Sequence, residues 1–512
     1  MVEELLARPF GTIPELVRLH AARAPRRAAL VHDGRALDYA GLDALMDRVA
    51  AALQRDGLAP GSAIAICAAS SIEYAVVFLG ALRSGVAVAP LPPSATPDAI
   101  AAMAADAEAT HFFLDDAAAK ALEKARTPIR AKTILLAALE PWLGTASAPR
   151  PVDAQPQTPF NIIYSSGTTG TPKGIVQPNA MRWAHVVRSA VYGYGPEAIT
   201  LISTPLYSNT TLVAFFPTVA LGGTVVLMAK FDATRYLELA ERHRVTHTML
   251  VPVQYQRIMA LADFSRYDLS AFRVKFSTSA PFSAALKADV VARWPGALNE
   301  YYGMTEGGGT CVLFAREFPD KLHTVGRPGP GVDIRLIDDD GREVAPGGVG
   351  EVVGHSTAMM TGYHKRPDMT AKAEWLDASG RRFIRTGDVG RFDEDGFLVL
   401  LDRKKDLIIS GGFNVYPSDL EAVVLRHPGV AEVAVVGVAS RQWGETPVAF
   451  VVPSANAGID AEALRTWANA RLGATQRIAA IEMVESLPRN AIGKVLKREL
   501  REGSPHNSQN RQ

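Results

Sequence analysis

The sequence is poor in cysteine, in charge of a single sign and in long apolar runs. Two cysteines among 512 residues cannot form a disulfide framework and suit a reducing compartment. The 54 Lys and Arg residues nearly balance 53 Asp and Glu residues, so the chain lacks the basic surplus of a nucleic-acid-binding protein. The longest apolar stretch, residues 214–228, contains Pro217 and two glycines and falls short of the roughly 18 to 20 residues of a membrane helix. We therefore expect no nucleic-acid partner and no membrane span.

The first residues, Met-Val-Glu-Glu, are acidic, whereas a secretory signal begins with basic residues and continues into an apolar segment. Together with the scarcity of cysteine, this favours a cytoplasmic location. With 48% hydrophobic and 21% charged residues, the composition is typical of a folded globular protein and not of a disordered chain. At roughly 150 residues per domain, the length predicts about three units, or two large ones.

The first 140 residues alternate between strand and helix signals. Apolar runs at 63–68 and 86–91 predict buried strands, and the helical spacing of apolar residues in 72–82 predicts a helix between them. Apolar runs without polar alternation are typical of a parallel sheet covered by helices on both faces. A second alternating region at 160–299 follows a proline-rich connector at 144–159.

The pattern changes twice nearer the C-terminus. Short strand signals separated by Asp-Gly and Gly-Gly turns between 324 and 401 predict a small β-rich piece. Residues 503–512 are polar, and we expect them to be disordered. The region beyond 406 predicts a small α+β unit, with strands at 432–438 and 447–452 and helices at 418–425 and 461–472.

A loop rich in hydroxyls and glycines follows the strand-like residues 160–163. Residues 164–174 read Tyr-Ser-Ser-Gly-Thr-Thr-Gly-Thr-Pro-Lys-Gly. Hydroxyls and unobstructed backbone N–H groups bind polyphosphates, and Lys173 adds a positive charge for a terminal phosphate. This is not a Walker loop, because Lys173 is followed by Gly and not by Ser or Thr. A flexible surface loop rarely concentrates these residue types so densely, so the segment predicts a phosphate-binding loop.

This loop resembles the signature of the adenylate-forming superfamily, which comprises acyl-CoA synthetases, peptide-synthetase adenylation domains and beetle luciferases. The resemblance implies an α/β fold with a large N-terminal domain, residues 1–402, built from two parallel-sheet subdomains and a small β-barrel-like subdomain. A small, mobile α+β C-terminal domain, residues 403–512, would follow it. Other segments match the family in order: 302–306 (Tyr-Gly-Met-Thr-Glu), 350–367, 385–388 (Arg-Thr-Gly-Asp), 403–406 (Arg-Lys-Lys-Asp), 411–417 (Gly-Gly-Phe-Asn-Val-Tyr-Pro) and 488–494 (Pro-Arg-Asn-Ala-Ile-Gly-Lys).

Enzymes of this superfamily form an acyl-adenylate from a carboxylate and ATP, release pyrophosphate, and usually transfer the acyl group to a thiol. The resemblance therefore implies ATP and coenzyme A as substrates and Mg²⁺ as a cofactor. The resemblance also implies a role for each residue that matches a motif position. Thr168, Thr169, Gly170 and Lys173 would bind the β- and γ-phosphates, Thr305 would contact the α-phosphate, and Glu306 would hold Mg²⁺. Tyr302 would lie against the adenine, and Asp388 and Arg403 would contact the ribose.

Lys494 closes the last motif and resembles the family's catalytic lysine. The resemblance implies that its ammonium contacts both the substrate carboxylate and the α-phosphate, which offsets the negative charge as these groups meet. Taken alone, Lys494 is also typical of a surface lysine near a helix start. Acetylation would remove its charge, so we expect a lysine acetyltransferase acting on Lys494 to switch the enzyme off and a deacetylase to restore it.

The resemblance also implies a moving C-terminal domain. Lys405 corresponds to the family's hinge, although Asp402 stands nearby where glycine is usual. Gly411 and Gly412 would line the tunnel for the pantetheine arm of CoA, where a side chain would block the thiol. Rotation about such a hinge lets one site perform two reactions.

The acyl pocket is predicted where the sequence departs from the family pattern. Ser208 replaces the His of many acyl-CoA synthetases and the Asp of amino-acid-activating domains, so it cannot pair with a substrate ammonium group. Tyr301 replaces a glycine and fills one wall, whereas Gly303 replaces the Trp of acetate-specific relatives and leaves depth. We expect a mid-sized monocarboxylic acid of aromatic, alicyclic, branched or fatty type. The predicted pocket comprises Tyr207, Ser208, Thr278, Tyr301, Gly303 and Gly308.

Several functions are compatible with these motifs to different degrees. The leading prediction is an ATP-dependent carboxylate–CoA ligase, and the alternative is a stand-alone adenylating enzyme that loads a carrier protein. The lack of a carrier domain after Lys494 favours CoA. A nucleotide-binding regulator without turnover would be expected to lack Lys494, Glu306 or Asp388. Residues 354–358 (Gly-His-Ser-Thr-Ala) match a hydrolase nucleophile elbow only loosely, because Ala358 stands where Gly is usual.

Overall fold

The computed structural model describes residues 2–145, 148–165, 173–410, 413–454, 457–473, 476–490 and 493–505. The chain forms two compact units. The first contains Met1–Asp333 and Gly354–Ile384, and the second contains Ile334–Val353 and Arg385–Gln512. The predicted domain boundary at 402/403 and the predicted hinge at Lys405 describe a rotation of the C-terminal domain, and both stay predictions. None of the helices in these described ranges is both long enough and apolar enough to cross a membrane.

The described residues contain helices and strands in close alternation. The helices are α1 (Val2–Leu6), α2 (Ile13–Arg23), α3 (Tyr39–Arg55), α4 (Ile72–Arg83), α5 (Pro97–Asp106), α6 (Asp116–Leu122), α7 (Leu139–Leu143), α8 (Asn179–Ser189), α9 (Asn209–Ala220), α10 (Ala233–Arg242), α11 (Pro252–Met259), α12 (Ala284–Arg293), α13 (Pro367–Lys372), α14 (Pro417–Val424), α15 (Ala461–Asn469) and α16 (Lys497–Gly503). The strands are β1 (Ala28–His32), β2 (Arg35–Asp38), β3 (Ala63–Cys67), β4 (Ala87–Pro90), β5 (His111–Leu114), β6 (Lys132–Leu135), β7 (Pro159–Ser165), β8 (Lys173–Pro178), β9 (Ile199–Ile202), β10 (Thr224–Leu227), β11 (His247–Leu250), β12 (Val274–Ser277), β13 (Ala297–Gly303), β14 (Thr310–Phe314), β15 (Arg327–Pro328), β16 (Asp333–Ile337), β17 (Gly350–His355), β18 (Gly362–Tyr363), β19 (Glu374–Leu376), β20 (Arg382–Phe392), β21 (Leu398–Arg403), β22 (Ile408–Ser410), β23 (Phe413–Val415), β24 (Val430–Ser440), β25 (Gly444–Pro453) and β26 (Ala480–Met483).

Two sheets with parallel centres form the first unit, which confirms the predicted α/β class. A seven-stranded sheet has the order β18-β8-β7-β4-β3-β5-β6, and a nine-stranded sheet has the order β15-β14-β13-β12-β11-β9-β10-β1-β2. In both sheets the antiparallel pairs are confined to the edges. The strands predicted at 63–68 and 86–91 are β3 and β4, and the helix between them is α4.

Strand membership does not follow the order of the two alternating regions. The hairpin β1–β2 lies at the edge of the nine-stranded sheet, where β1 runs parallel to β10 and Leu30 pairs with Val225. Conversely, β7 and β8 from the second region complete the seven-stranded sheet. Long-range strand pairing therefore interleaves the two regions, which local periodicity does not reveal.

Two apolar helices, α4 and α9, lie in the main core of the first unit. α4 contacts β1 of the nine-stranded sheet as well as β3 and β4 of the seven-stranded sheet. Phe78 of α4, Phe216 of α9 and Phe160 of β7 form an aromatic cluster, with the rings of Phe160 and Phe216 4.9 Å apart and at 89° to each other. Helices that are apolar on all sides are buried because they have no polar face for water.

The second unit contains two groups of strands. Strands β16, β17 and β20 follow one another in one sheet, and β21 pairs with β20. The C-terminal sheet has the order β23-β22-β25-β24, and β26 runs parallel to β25. α14 and α15 contribute Leu420 and Leu464 to one apolar cluster, whereas Leu500 of α16 belongs to another. The predicted α+β unit is thus confirmed; its helices end at Val424 and Asn469. Residues 506–512 of the tail lie outside the described residues.

Candidate active site

Most of the predicted acyl-pocket residues lie at the carboxyl ends of the parallel strands in the nine-stranded sheet. Tyr207 and Ser208 follow β9, Thr278 follows β12, and Tyr301 and Gly303 end β13. Because β9, β12 and β13 belong to the parallel part of the sheet, their carboxyl ends share one edge of it. The strand order also reverses between β9 and β11, which is where ligands bind in open α/β sheets.

The side chain of Tyr301 is held against an aromatic wall. Its ring stacks on Phe276 at 5.4 Å with an interplanar angle of 8°, and it meets Tyr192 edge-on at 6.1 Å. Burial, together with the neighbouring Tyr192 phenol, raises the pKa of Tyr301. The tyrosine ring therefore packs against Phe276 and Tyr192; its role as a wall of the acyl pocket stays a prediction.

A strained residue borders Thr278. Ser279 has a φ of 80°, a left-handed backbone that non-glycine residues rarely adopt. Its hydroxyl lies 2.5 Å from that of Thr210 on α9, so the two segments at this sheet edge are joined by a hydrogen bond. Sequence patterns did not identify Ser279 or Thr210, because neither residue type signals a left-handed conformation.

The predicted phosphate loop connects two adjacent antiparallel strands. Ser165 at the end of β7 pairs with Lys173 at the start of β8, and Tyr164 pairs with Gly174. A Cβ at Gly174 would lie 2.7 Å from the Ile162 side chain, so any other residue here would force that side chain to shift. Both ends of the loop are thereby fixed. Thr168, Thr169 and Gly170 themselves lie outside the described residues.

Thr305 and Glu306 follow β13 in a segment held by backbone contacts. Glu306 accepts a hydrogen bond at Oε1 from the Tyr363 hydroxyl at 2.8 Å, and its carbonyl accepts one from the Met360 amide. Among the described residues, no cluster of three or more His, Cys, Asp or Glu could by itself hold a metal ion. One half-buried carboxylate nevertheless fits Mg²⁺, which binds one or two carboxylates together with phosphate oxygens and water.

The glycines after Glu306 allow close backbone packing. Gly307 and Gly308 have φ values of 76° and 85°, and a Cβ added to Gly308 would lie 2.5 Å from the carbonyl oxygen of Gly354. Both residues are buried. Close packing of the backbone therefore explains why these positions are glycine; a role of Gly308 in the acyl pocket stays a prediction.

A buried polar network holds the backbone of Thr305. Gln177 on β8 donates from Nε2 to the Thr305 carbonyl at 2.7 Å and to Asn209 Oδ1 at 3.2 Å. Asn161 and Arg182 complete the network by donating to Gln177 Oε1. These residues were missed because amides and an arginine spread over 49 positions form no local motif. Tyr302, one of the predicted nucleotide contacts, is buried in β13 opposite Cys311.

The second unit brings together the predicted ribose contacts and the predicted catalytic lysine. Asp388 and Arg403 are register partners on β20 and β21, and Arg403 Nε lies 3.0 Å from Asp388 Oδ1. Lys494 is half-buried near both residues, since their charges act on its pKa. Desolvation and the like charges of Arg403 and Lys405 lower the pKa of Lys494 to about 8, although Asp388 and Asp406 oppose the shift.

Hydrogen bonds join Asn490 to the residues at the end of the lysine motif. Asn490 accepts hydrogen bonds from the Lys494 amide at its side chain and from the Gly493 amide at its carbonyl, both at 2.9 Å. Gly493 has a φ of 78°, which favours glycine. The backbone of Lys494 is thus tied to Asn490, while residues 491 and 492 lie outside the described residues.

Asp402, which departs from the family pattern, has a clear contact. Its carboxylate accepts hydrogen bonds from the Arg403 amide at 2.8 Å and from the Ser418 amide at 2.9 Å, in the first turn of α14. A carboxylate stabilises a helix N-terminus by binding its free N–H groups. Lys405 is exposed. Gly411 and Gly412, the predicted tunnel residues, lie outside the described residues.

Known proteins resemble this chain along most of its length. The AMP-binding enzyme family matches residues 17–364, and the AMP-binding enzyme C-terminal domain matches residues 419–494. Over 96% of both chains, the protein is 33% identical to a fatty acid–[acyl-carrier-protein] ligase, ScoC, of Streptomyces coeruleorubidus. It is 31% identical to an indoleacetate–CoA ligase of Aromatoleum aromaticum, over 96% of this chain and 98% of that one. The crystal structure of ATP-bound MatB from Rhodopseudomonas palustris matches 96% of this chain and 99% of its own, with a TM-score of 0.86 and 29% identity. The chain therefore belongs to the AMP-binding enzyme family, within the adenylate-forming superfamily of AMP-forming acid–thiol ligases.

Proposed function

We propose that the protein is an ATP-dependent carboxylate–CoA ligase that forms an acyl-adenylate and then an acyl-CoA thioester. The observation that carries the proposal is the cluster of Lys494 with Asp388 and Arg403 in the second unit. An ammonium beside a carboxylate–guanidinium pair suits a nucleotide whose ribose and α-phosphate lie close together. A regulator without turnover has no need for a lysine held in this way.

In the first step, the substrate carboxylate attacks the α-phosphorus of ATP and pyrophosphate leaves. The carboxylic acid is already ionised near neutral pH, so this step needs no general base. Two anions approach each other, and the developing charge must be stabilised. Lys494 would contact both the carboxylate and the α-phosphate, and Thr305 would donate its hydroxyl to the α-phosphate.

Other residues would hold the nucleotide. Thr168, Thr169, Gly170 and Lys173 would bind the β- and γ-phosphates, and Asp388 would accept hydrogen bonds from the ribose hydroxyls beside Arg403. Tyr302 would contact the adenine ring. Glu306 would hold Mg²⁺, which neutralises phosphate charge when it is bound with the nucleotide.

In the second step, the CoA thiol attacks the acyl carbonyl, the carbon–sulfur bond forms, and AMP leaves. The C-terminal domain, residues 403–512, would rotate about Lys405 between the two steps. Gly411 and Gly412 would then line the path of the pantetheine arm. Loss of flexibility at Lys405, as in Lys405→Pro, should slow the second step more than the first.

The substrate proposed is a mid-sized monocarboxylic acid, of aromatic, alicyclic, branched or fatty type. The aromatic wall of Phe276 and Tyr301 supports an apolar acyl group. Ser208 is buried and uncharged, so it favours an acid without an ammonium group. Similarity to an indoleacetate–CoA ligase points in the same direction.

A carrier protein is the second candidate acceptor. The 33% identity to a fatty acid–[acyl-carrier-protein] ligase supports it. Multiple-turnover pyrophosphate release from ATP and a panel of carboxylic acids separates the two acceptors. Release that continues only with CoA supports the ligase, whereas release stimulated only by a phosphopantetheinylated carrier protein supports the alternative. Lys494→Ala is the inactive control, and site-specific acetylation of Lys494 should abolish adenylation in the same assay.

A further inference from the structure

A buried arginine without a carboxylate partner lies in the network beneath Thr305. Arg182 of α8 is 1% exposed, and no described Asp or Glu pairs with it. Its Nη1 has no hydrogen-bond partner among the described residues. Its guanidinium carbon lies 5.8 Å and 5.7 Å from the ring centroids of Phe160 and Phe216. Burying a charge without a counter-ion is costly, so this residue requires an explanation other than stability.

Arg182 determines which way the Gln177 amide points. A guanidinium has only donors, so the atom of Gln177 that faces it must be the oxygen. Asn161 also donates to that oxygen, at 2.9 Å. The Gln177 NH₂ group is therefore turned to the opposite side, where it donates to the Thr305 carbonyl at 2.7 Å. An apolar residue at position 182 would remove the charged donor that holds the Gln177 oxygen on this side.

The same arginine is tied to the start of α9. Its Nη2 donates to Asn209 Oδ1 at 2.8 Å, and its Nε donates to Asn161 Oδ1 at 3.2 Å. Asn209 directly follows Ser208, a predicted acyl-pocket residue. One buried cation thus connects β7, β8 and the N-terminus of α9 with the segment that carries Thr305 and Glu306.

We propose that Arg182 is a positioning residue that orients Gln177, and that Gln177 in turn holds the backbone of Thr305. The proposal rests on the proposed function, in which Thr305 binds the α-phosphate. Placing a phosphate ligand correctly matters because a shift of about 1 Å can cost on the order of a hundred-fold in rate. A fixed carbonyl leaves the Thr305 hydroxyl and the Glu306 carboxylate fewer arrangements before substrate binds.

Gln177→Glu separates this role from a structural one. Glutamate still accepts from Arg182 and supplies it with a counter-ion, so we expect a thermal midpoint equal to or above that of the wild type. It has no N–H group for the Thr305 carbonyl. We expect kcat for acid-dependent ATP–pyrophosphate exchange to fall about 10- to 100-fold, with KM for ATP changed less than about three-fold. An unchanged kcat in folded Gln177→Glu protein would overturn the proposal.

Arg182→Met tests the other end of the relay. We expect a similar loss in kcat, and the Arg182→Met/Gln177→Glu double variant should lose no more than the worse single variant, because both changes break one pathway. If the kcat losses of the two single variants instead multiply in the double variant, Arg182 and Gln177 do not act through one pathway and the proposal is wrong. Lys275→Met is the matched control, since the hydrogen bonds of that buried ammonium to described residues all go to the carbonyls of Trp294, Pro295 and Gly296. It should lower stability and leave kcat unchanged.

Hydrogen–deuterium exchange gives a readout that does not depend on turnover. Residues 303–309 should exchange faster in Gln177→Glu and Arg182→Met than in the wild type, and at the wild-type rate in Lys275→Met. Equal exchange in all four proteins would overturn the proposal, even if Arg182→Met itself proves unstable. If the wild-type protein adenylates no acid in the panel, that result counts against the proposed function. The hydrogen–deuterium exchange rates would still test whether Arg182 and Gln177 hold the Thr305 backbone.

Discussion

The lowered pKa of Lys494 predicts that adenylation is lost in mildly alkaline solution. Burial and the charges of Arg403 and Lys405 lower this pKa from 10.5 to about 8. The lysine is charged below that pH and neutral above it, and only the charged form stabilises the meeting anions. From the titration curve, about 90% of Lys494 is protonated at pH 7 but only about 10% at pH 9. We therefore expect kcat/KM for ATP to be about ten-fold lower at pH 9 than at pH 7.

The assay is acid-dependent ATP–pyrophosphate exchange between about pH 6.5 and 9.5 at constant ionic strength. The profile of kcat/KM reports the free enzyme, whereas kcat reports the enzyme with substrate bound. The phosphates of bound ATP favour the charged ammonium, so kcat should decline at a higher pH than kcat/KM. A lysine with an ordinary pKa would remain about 97% protonated at pH 9. A kcat/KM that stays constant up to pH 9.5 would refute the reasoning.

Two variants should move the profile in opposite directions. Lys405→Met removes a like charge and should shift the decline to higher pH, whereas Asp406→Asn removes an attractive charge and should shift it to lower pH. Only the first half-reaction is measured, so the proposed hinge role of Lys405 does not enter. Lys120→Met is the control, because Lys120 is an exposed residue of α6 in the first unit.

Three further predictions concern stability. Gly308→Ala should lower the free energy of unfolding in urea by about 2–3 kcal/mol, because the new Cβ would lie 2.5 Å from a backbone oxygen and φ is 85°. The control is Gly34→Ala, which should cost only about 1 kcal/mol, because Gly34 has a similar φ of 79° but open space around it. Equal losses in the two variants would contradict the packing argument. Burial raises the pKa of Asp56, but hydrogen bonds from four side chains outweigh it and hold that pKa well below its usual range. The stabilisation by Asp56 is therefore fully present above about pH 4 and is lost as the pH falls through the lowered pKa. Asp56→Asn should cost about 2 kcal/mol at pH 7 and less at pH 2, and a loss independent of pH would argue against it. Lys287→Met should lower the free energy of chemical unfolding by about 3–5 kcal/mol, because it leaves buried Glu300 unpaired. The double variant Lys287→Met/Glu300→Leu should recover most of that stability. A double variant no more stable than Lys287→Met would contradict this reasoning.

The motifs of the proposed site could be recognised because each is a short, continuous segment. In the lysine motif, for example, the amides of Gly493 and Lys494 both donate to Asn490, so these contacts are encoded within five positions, 490–494. The apolar run at 63–68 and the helical spacing at 72–82 likewise reflect interactions within a few residues. Such local patterns were sufficient to predict the α/β class, the strand before the predicted phosphate loop and the adenylate-forming family.

The remaining features depend on residues that are distant in the chain. Leu30 pairs with Val225 across 195 positions, and no local pattern indicates which sheet β1 joins. Arg182 looks like an ordinary polar position of an amphipathic helix, yet folding buries it against Gln177 and Asn209.

By itself, then, the sequence determined the local elements and the chemical groups available to the site, because those depend on neighbouring residues. Only the tertiary structure decided which sheet receives each strand, how the Thr305 backbone is held and why Gly308 must be glycine. These outcomes depend on packing and hydrogen bonds between segments that meet only after folding.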